Sequence, residues 1–480
     1  MRRVVTHCLW PVLLIVADAG AQTVDARLLS PVSSYHTQSG TEIRAQITTP
    51  MCGADGSELA DGMTLEGAAS HVHKVGMGLI HESAGMQLDF RDLRLPDGRE
   101  FPVEARLVDI ENARERVDKH GHIHGIRATA SLSNRAGQRL VLAALGHPLA
   151  LLPLFAVETA LVHFPEPEID YGTGTEIEVA VKFPEAMGRI SACPVGEPPA
   201  PATAAELRAM VESIPAWSYS GRKSQDPVTL VYIGGEDRMT AAFAAAGWTG
   251  SVAHSTAARW KVIRAIAENN PDPNAPMRTL LLSGAEPDFS LQKTLDTFEK
   301  RDHLRIWRRE GSQWEDQTVW ASAATRDIAT GFGLRPFGFT HRIDVNVDQE
   351  RDRVVRDLVY TGCVDSVQYV DRGRLAELPD YRRGIQSDGR VAVVFLNSCS
   401  DPRLSLTEDN AGPPPPLVVR CIRRATLTAR NHFLRDNIFW RSADALRIGI
   451  DSLRAWSADR RMPPRPAGDS AEDPITTSLQ

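Results

Sequence analysis

Charge set inside strand-like sequence is the tightest constraint on how this chain can fold. Lys300-Arg301-Asp302-His303-Leu304-Arg305, Thr325-Arg326-Asp327-Ile328 and Thr340-His341-Arg342-Ile343-Asp344 each place cations or histidines beside a carboxylate, within or next to an apparent strand. In a strand every second side chain points to one face, so these groups cannot all reach water. Desolvating a lone charge costs several kcal/mol, comparable to the whole stability of a small domain, and opposite charges are therefore expected as neighbours. The runs predict a fold that brings Lys300, Arg301, His303, Arg305, Arg326, Asp327, His341, Arg342 and Asp344 to one place.

The flanking pattern sets the architecture around them. Short helices are predicted over Ala204–Ser213, Glu236–Ala246, Thr256–Asn269 and Gln349–Tyr360, the last stopped by Gly362. Strands are predicted at Val228–Ile233, Thr279–Ser283, Leu304–Arg309, Thr318–Ala324, Val364–Val370 and Arg390–Leu396. That mixed order argues for an α+β unit, a mainly antiparallel or mixed sheet covered by helices, over residues 226–397.

Ahead of it, residues 39–190 read as a β-rich barrel or sandwich. Alternation is plain in Met86–Phe90 and Phe101–Leu107, with the turn Pro96-Asp97-Gly98 between them. Gly40-Thr41-Glu42-Ile43-Arg44-Ala45-Gln46-Ile47 and Gly174-Thr175-Glu176-Ile177-Glu178-Val179-Ala180-Val181 share one pattern, as two equivalent edges of such a sheet would. This layout resembles the β-domain of TrbI-like envelope proteins. Leu140–Val157 is nearly uncharged but is broken by glycine and proline, which favours a buried or membrane-surface hairpin over a spanning helix.

Residues 193–225 hold a Pro-rich linker and a short helix. Beyond residue 410 come a Pro-rich spacer, a basic helix and a polar tail ending at 480. Phe439, Ala443, Leu446, Ile450 and Leu453 fall at helical spacing, and Arg420 to Arg461 carries ten Arg against four Asp. We expect this helix to pack on the second unit, with a membrane surface as the other reading.

The N-terminus reads as an export signal: Met1-Arg2-Arg3 is basic, Val4–Val16 is mainly apolar, and Ala19-Gly20-Ala21 offers a small-residue cut after Ala21. A periplasmic or secreted location follows. Of the cysteines beyond that cut, the pairs expected are Cys52 with Cys193 and Cys399 with Cys421, leaving Cys363 as a small buried hydrophobe. At a net charge of −7 the chain is a poor general nucleic-acid binder, because that affinity needs clustered Lys and Arg.

A family resemblance rests on Asp226-Pro227-Val228-Thr229-Leu230, Ala245-Ala246-Gly247-Trp248, Gln292-Lys293, Thr297-Phe298, the three charged runs and Glu350-Arg351-Asp352. Together they resemble the LssY-like C-terminal domain, a family named after a proposed type I secretion component. The resemblance implies a cell-envelope setting, often beside membrane-spanning or lipid-phosphatase-like segments, and no defined reaction. This chain departs from that pattern, with an exported β-rich unit in front and no multi-span region.

If the runs converge, the arginines suit phosphate or carboxylate, and His303 or His341 held by Asp327 or Asp344 suits acid–base work. An ion-pair lattice tying strands together is the competing arrangement. His120, His122 and His124 alternate on a short extended segment at a spacing that suits metal ligands, but Lys119 and Gly121 place them in an exposed turn, and no metal or cofactor is expected. The function expected is an exported envelope binding or accessory protein recognising an anionic head group or a protein partner. The alternatives are a periplasmic hydrolase of phosphate-containing substrates using His303 or His341, and a purely structural module. Peripheral membrane contact is compatible with each, and no transmembrane span is expected.

Overall fold

A computed structural model describes residues 21–53, 59, 62–78, 81–131, 164–188, 190–193, 201–252, 255–332, 339–372, 384–399 and 416–436, with 439, 442, 446 and 450. The export segment, the run Leu140–Val157, most of the Pro-rich linker and the terminal tail lie outside the described residues.

In the first unit, β1 (Gln22–Leu28) turns Val24, Ala26 and Leu28 inward and Asp25 and Arg27 outward, as its alternation requires. It is joined by β2 (Glu42–Ile47), β3 (Thr64–His73), β4 (Gly85–Arg94), β5 (Glu100–Pro102), β6 (Glu104–Ile110), β7 (Arg116–Val117), β8 (His122–His124) and β9 (Glu176–Lys182). The nine strands run in the order β6-β9-β1-β2-β3-β4-β8-β7, with β5 on β4. The sheet curls until β6 meets β4 and β7, nearly closing a barrel around Ile43, Leu65, Met86, Leu88, Val179 and their neighbours. The two repeated segments become β2 and β9. They are not separate edges, because both pair antiparallel with β1, where Ala26 faces Ile47 on one side and Ile177 on the other.

The second unit opens with α1 (Pro201–Ser213) and the hairpin β10 (Trp217–Ser220) to β11 (Lys223–Pro227). There follow β12 (Leu230–Ile233), α2 (Glu236–Ala245), β13 (Thr249–Gly250), α3 (Thr256–Glu268) and β14 (Phe289–Lys293). After these come β15 (Arg301–Trp314), β16 (Gln317–Phe332), β17 (Phe339–Ile343), α4 (Val347–Tyr360), β18 (Val364–Asp371) and β19 (Arg390–Leu396). Its eight-stranded sheet has the order β13-β14-β15-β16-β12-β19-β18, with β17 on β16. Every pairing in it is antiparallel except β12 with β19. Helices α2 and α4 bury Phe243, Val354 and Leu358 on one face with Leu304 and Ile306, while α1 buries Leu207 and Val211 on the other with Trp307 and Val319.

Three expectations need correcting here. Strands β15 and β16 run well past the apolar cores at 304–309 and 318–324, because their charged residues find partners; Glu315 and Asp316, both at positive φ, make the two-residue turn between them. Thr279–Ser283 forms only isolated bridges. Cys363 is not a free buried thiol. It pairs with Cys399, because β18 starts where β19 ends and Val364 lies opposite Leu396. Cys52 pairs with Cys193 as expected, while Cys421 is free and exposed.

The basic segment from Arg420 forms helix α5 (Leu417–Asp436), which lies on the first unit, whereas Ala443 and Leu453 of the expected apolar stripe lie outside the described residues. Arg430 donates to the carbonyls of Gly76 (2.7 Å) and Glu82 (2.6 Å), and Arg423 reaches Glu166 (2.8 Å) and Glu168 (3.2 Å). Among the described residues, no helix is long and apolar enough to cross a membrane.

Candidate functional site

The strand pleat divides the charged runs between the two faces of the second sheet. On the face that also carries Trp307, Asp327 accepts from His303 Nε2 at 2.7 Å and from Arg301 at 3.5 Å, and Arg301 also donates to Gln292 at 3.3 Å. Arg305 pairs with Asp226 at 2.9 Å and donates to the carbonyl of Arg278 at 3.1 Å. His303, Arg301 and Asp327 are buried. Burial pushes the His303 imidazole below its ordinary value, although Asp327 opposes it, so this histidine is neutral near pH 7.

Asp302 and Arg326 lie directly opposite each other on β15 and β16 and point to the other face. Arg342 is exposed, Asp344 caps the turn before α4 by accepting from Asn346 N at 3.0 Å, and Lys300 is half-buried. The backbone of His341 pairs with Thr330, and its side chain lies outside the described residues. The eight whose side chains are described therefore do not form one site. A two-residue periodicity that makes neighbours of Arg301 and His303 necessarily sends Asp302 away from both.

What the second face does with its charges depends on the first unit. The outward side chains of β1 and β9 meet α4, β14 and β15 across a buried seam. Arg27 contacts Glu176 (2.6 Å) and Asp357 (3.0 Å), and Lys293 contacts the same two carboxylates at 2.5 and 2.8 Å. Trp248 Nε1 donates to Asp357 at 3.2 Å. Glu111 takes Arg326 at 2.7 Å and also Arg353; Asn112 donates to Asp302 at 2.7 Å. At the margins Arg356 meets Asp25 at 2.6 Å and Tyr360 donates to Gln46 at 2.9 Å. A narrow crevice of about 20 Å³, lined by Glu111, Glu176, Glu178, Arg353 and Asp357, remains along the seam, which is room for a water molecule and not for an organic ligand.

The charges of this lattice do not cancel. Its carboxylates are Glu111, Glu176, Asp302, Glu350 and Asp357, and its cations are Arg27, Lys293, Arg326 and Arg353. The excess falls on Glu350, which is 2% exposed and has no hydrogen-bond partner for either oxygen. Burial, and then repulsion from Asp302, raises its carboxyl well above 4.5 against the pull of Arg353. Glu176 behaves oppositely: burial would raise it, but Lys293 and Arg27 overcome that and hold it ionised below the usual range. The arrangement can lock two units in register, and burial raises Glu111 as well, to about 8 against the pull of Arg353, so the seam holds protons on carboxyls besides Glu350.

The sequence reading missed Arg27, Glu111, Glu176 and Asp357. A signal for Asp357 exists, since Glu350, Arg353 and Asp357 fall on the helical stripe that also carries Val354 and Leu358. None exists for Arg27 or Glu176, whose alternation marks them as solvent-facing.

The histidine-rich first unit places His122 and His124 beside Asp118, at 3.5 and 3.1 Å, with His71 edge-on to His122 and His73 stacked on His81 at 4.1 Å. His120 is exposed in the adjoining turn. Among the described residues, no group of three or more His, Cys, Asp or Glu side chains is placed to hold a metal ion. A depression of about 480 Å³ between β4, β6 and β9 is lined by Asp89, Arg91, Glu104, Arg106 and Lys182, whose mixed signs select no ligand charge.

No curated protein matches the chain. Among solved structures, ComB10 of the Com type IV secretion system of Helicobacter pylori is similar at 9% identity over 34% of this chain and 85% of that one, with a TM-score of 0.19. The family likeness lies in residues 210–390, which match the family model described as the LssY C-terminus, in agreement with the resemblance of the charged runs.

Proposed function

We propose that the protein is an exported, non-catalytic accessory protein of the cell envelope, in which the first unit and the LssY-like domain act as one body for binding. The observation that carries this reading is the fate of the charged runs. Arg301, Arg305 and Arg326, the strongest candidates for gripping a phosphate, each already hold a carboxylate of the protein. A guanidinium engaged in this way offers few donors to a ligand and contributes to joining strands and units. Two disulfides over five described cysteines support an oxidising compartment and hence export.

The hydrolase reading draws on one feature, the His303–Asp327 pair at 2.7 Å, which has the form of an oriented base. Its burial, at 8% exposure, disfavours access to a substrate. A panel of phosphomonoesters, phosphodiesters and lipid phosphates incubated with the full chain separates the two. Accessory function predicts no turnover above blank. Turnover that His303→Ala removes while leaving the melting curve unchanged would replace it with the hydrolase.

A further inference from the structure

The two units meet at a second set of carboxylates, apart from the lattice around Asp357. The loop between β14 and β15 lays Leu295 against the core of the first unit and sets Asp296 over the turn between β6 and β7. There the backbone N–H of Arg114 donates to Asp296 Oδ1 at 2.8 Å, while the Arg114 guanidinium lies 3.0 Å from Glu115 Oε1 and 3.5 Å from Asp296 Oδ2. The same guanidinium donates to the carbonyls of Glu166 (2.6 Å) and Glu168 (3.3 Å), and Tyr171 Oη donates to Glu115 Oε2 at 3.0 Å. Glu115 and Tyr171 are buried, and the Asp296 side chain is 20% exposed. One carboxylate from each unit thus competes for a single cation.

Asp296 and Glu115 are also hydrogen-bonded to each other. Ionised carboxylates only accept, and the proton of Tyr171 Oη is already given to Glu115, so this bond needs a proton on one of the two carboxyls. The neighbouring lattice supplies no spare cation, being itself short of positive charge at Glu350. Among the described residues, the charged and titratable groups facing Asp296 are Glu115, Arg114 and Tyr171. Burial, and then repulsion from Glu115, raises the Asp296 carboxyl from 3.8 to about 8 against the pull of Arg114. The native protein therefore keeps a proton that the unfolded chain releases; the stabilisation is complete below pH 3.8 and is lost as pH rises through about 8. We propose that the seam is a proton latch: a proton shared by Glu115 and Asp296 holds this end of the two units together, and its loss in alkaline solution sets two buried carboxylates against each other and frees the β14–β15 loop from the first unit. The latch presupposes the joined units of the accessory reading and adds what releases them.

The test is amide hydrogen exchange of the full chain between about pH 6.5 and about pH 9.5, read on the peptides that contain Arg114 and Asp296, with wild type and variant compared at each pH so that the intrinsic rate cancels. Asp296→Asn has nearly the same shape, keeps a carbonyl for Arg114 N and offers an N–H to Glu115, so it closes the latch without a proton. Relative to this variant, wild type should lose protection in both peptides by roughly tenfold per pH unit above about pH 8, while β2 and β3 keep theirs. Glu115→Gln, which puts the amide on the other partner, should likewise make protection level with pH. Wild-type protection that is level across this range, or an Asp296→Asn variant that loses protection as wild type does, overturns the latch. So does a loss that spreads to β2 and β3, since the whole fold would then be opening. Protection absent from both peptides already at about pH 6.5 in wild type refutes the joined units themselves, and the latch with them.

Discussion

Replacing Glu350 with Gln tests the proton assigned to the seam. Glu350 is buried among Asp302, Glu111, Arg353 and Arg326, and its carboxyl is raised well above an ordinary value of 4.5. The native protein thus keeps a proton that the unfolded chain releases. Stability from this group is complete below about pH 4.5 and is lost as pH rises toward the folded-state value. Keeping that proton costs 2.3RT for each pH unit above 4.5 up to the folded-state value. Glutamine has nearly the same shape and bears no such cost. Urea unfolding of wild type and Glu350→Gln at fixed salt, between about pH 5 and pH 7, should give stability differences that diverge by on the order of 1.4 kcal/mol per pH unit in favour of the variant. Titrations remote from the seam cancel in this comparison. If Glu350 is instead an ionised partner of Arg353 and Arg326, the variant breaks a buried ion pair. It would then be less stable by roughly 3–5 kcal/mol with parallel pH curves, and that result would refute the neutral assignment.

Other perturbations follow from the same contacts. Asp357→Ala leaves Arg27 and Lys293 short of a carboxylate and Trp248 Nε1 without its acceptor, so denaturant unfolding should show a loss of roughly 3–5 kcal/mol. Removing the Cys52–Cys193 bridge with Cys52→Ser/Cys193→Ser opens a link of sequence separation 141 and should cost about 4–5 kcal/mol by chain entropy; a melting curve unchanged under reduction would contradict the pairing. Asn346 caps α4 by accepting from Gln349 N at 3.3 Å, so Asn346→Ala should lower stability by about 1 kcal/mol and leave the slope of the unfolding curve unaltered.

Much of this molecule was readable from local pattern. Helix α4 begins two residues before the predicted Gln349 and ends at Tyr360 as its glycine stop indicates, and β19 occupies Arg390–Leu396 as predicted, because a 3.6-residue or two-residue apolar period is a property of the segment itself. The α+β class, the β-rich first unit and the LssY likeness of the second were legible for that reason. The rule that buried charges need partners also held for Arg301 and Arg305. Local pattern could not tell which partners they would take. Asp302 and Asp327 look alike in sequence, yet one joins the seam and the other the opposite face, since the register of β15 on β16 sets their directions.

Sequence alone determined many of the elements, their inward faces and the requirement that charge be paired. Tertiary structure alone decided that the outward faces of β1 and β9 would also be buried, that α5 would lie on the first unit, and that Arg27 would meet Asp357 across 330 residues of chain. The physical reason is that alternation encodes which side of a strand turns from its own core, whereas the fate of the other side depends on what docks there. An outward Arg27 that meets water and one that meets Glu176 and Asp357 have the same local sequence.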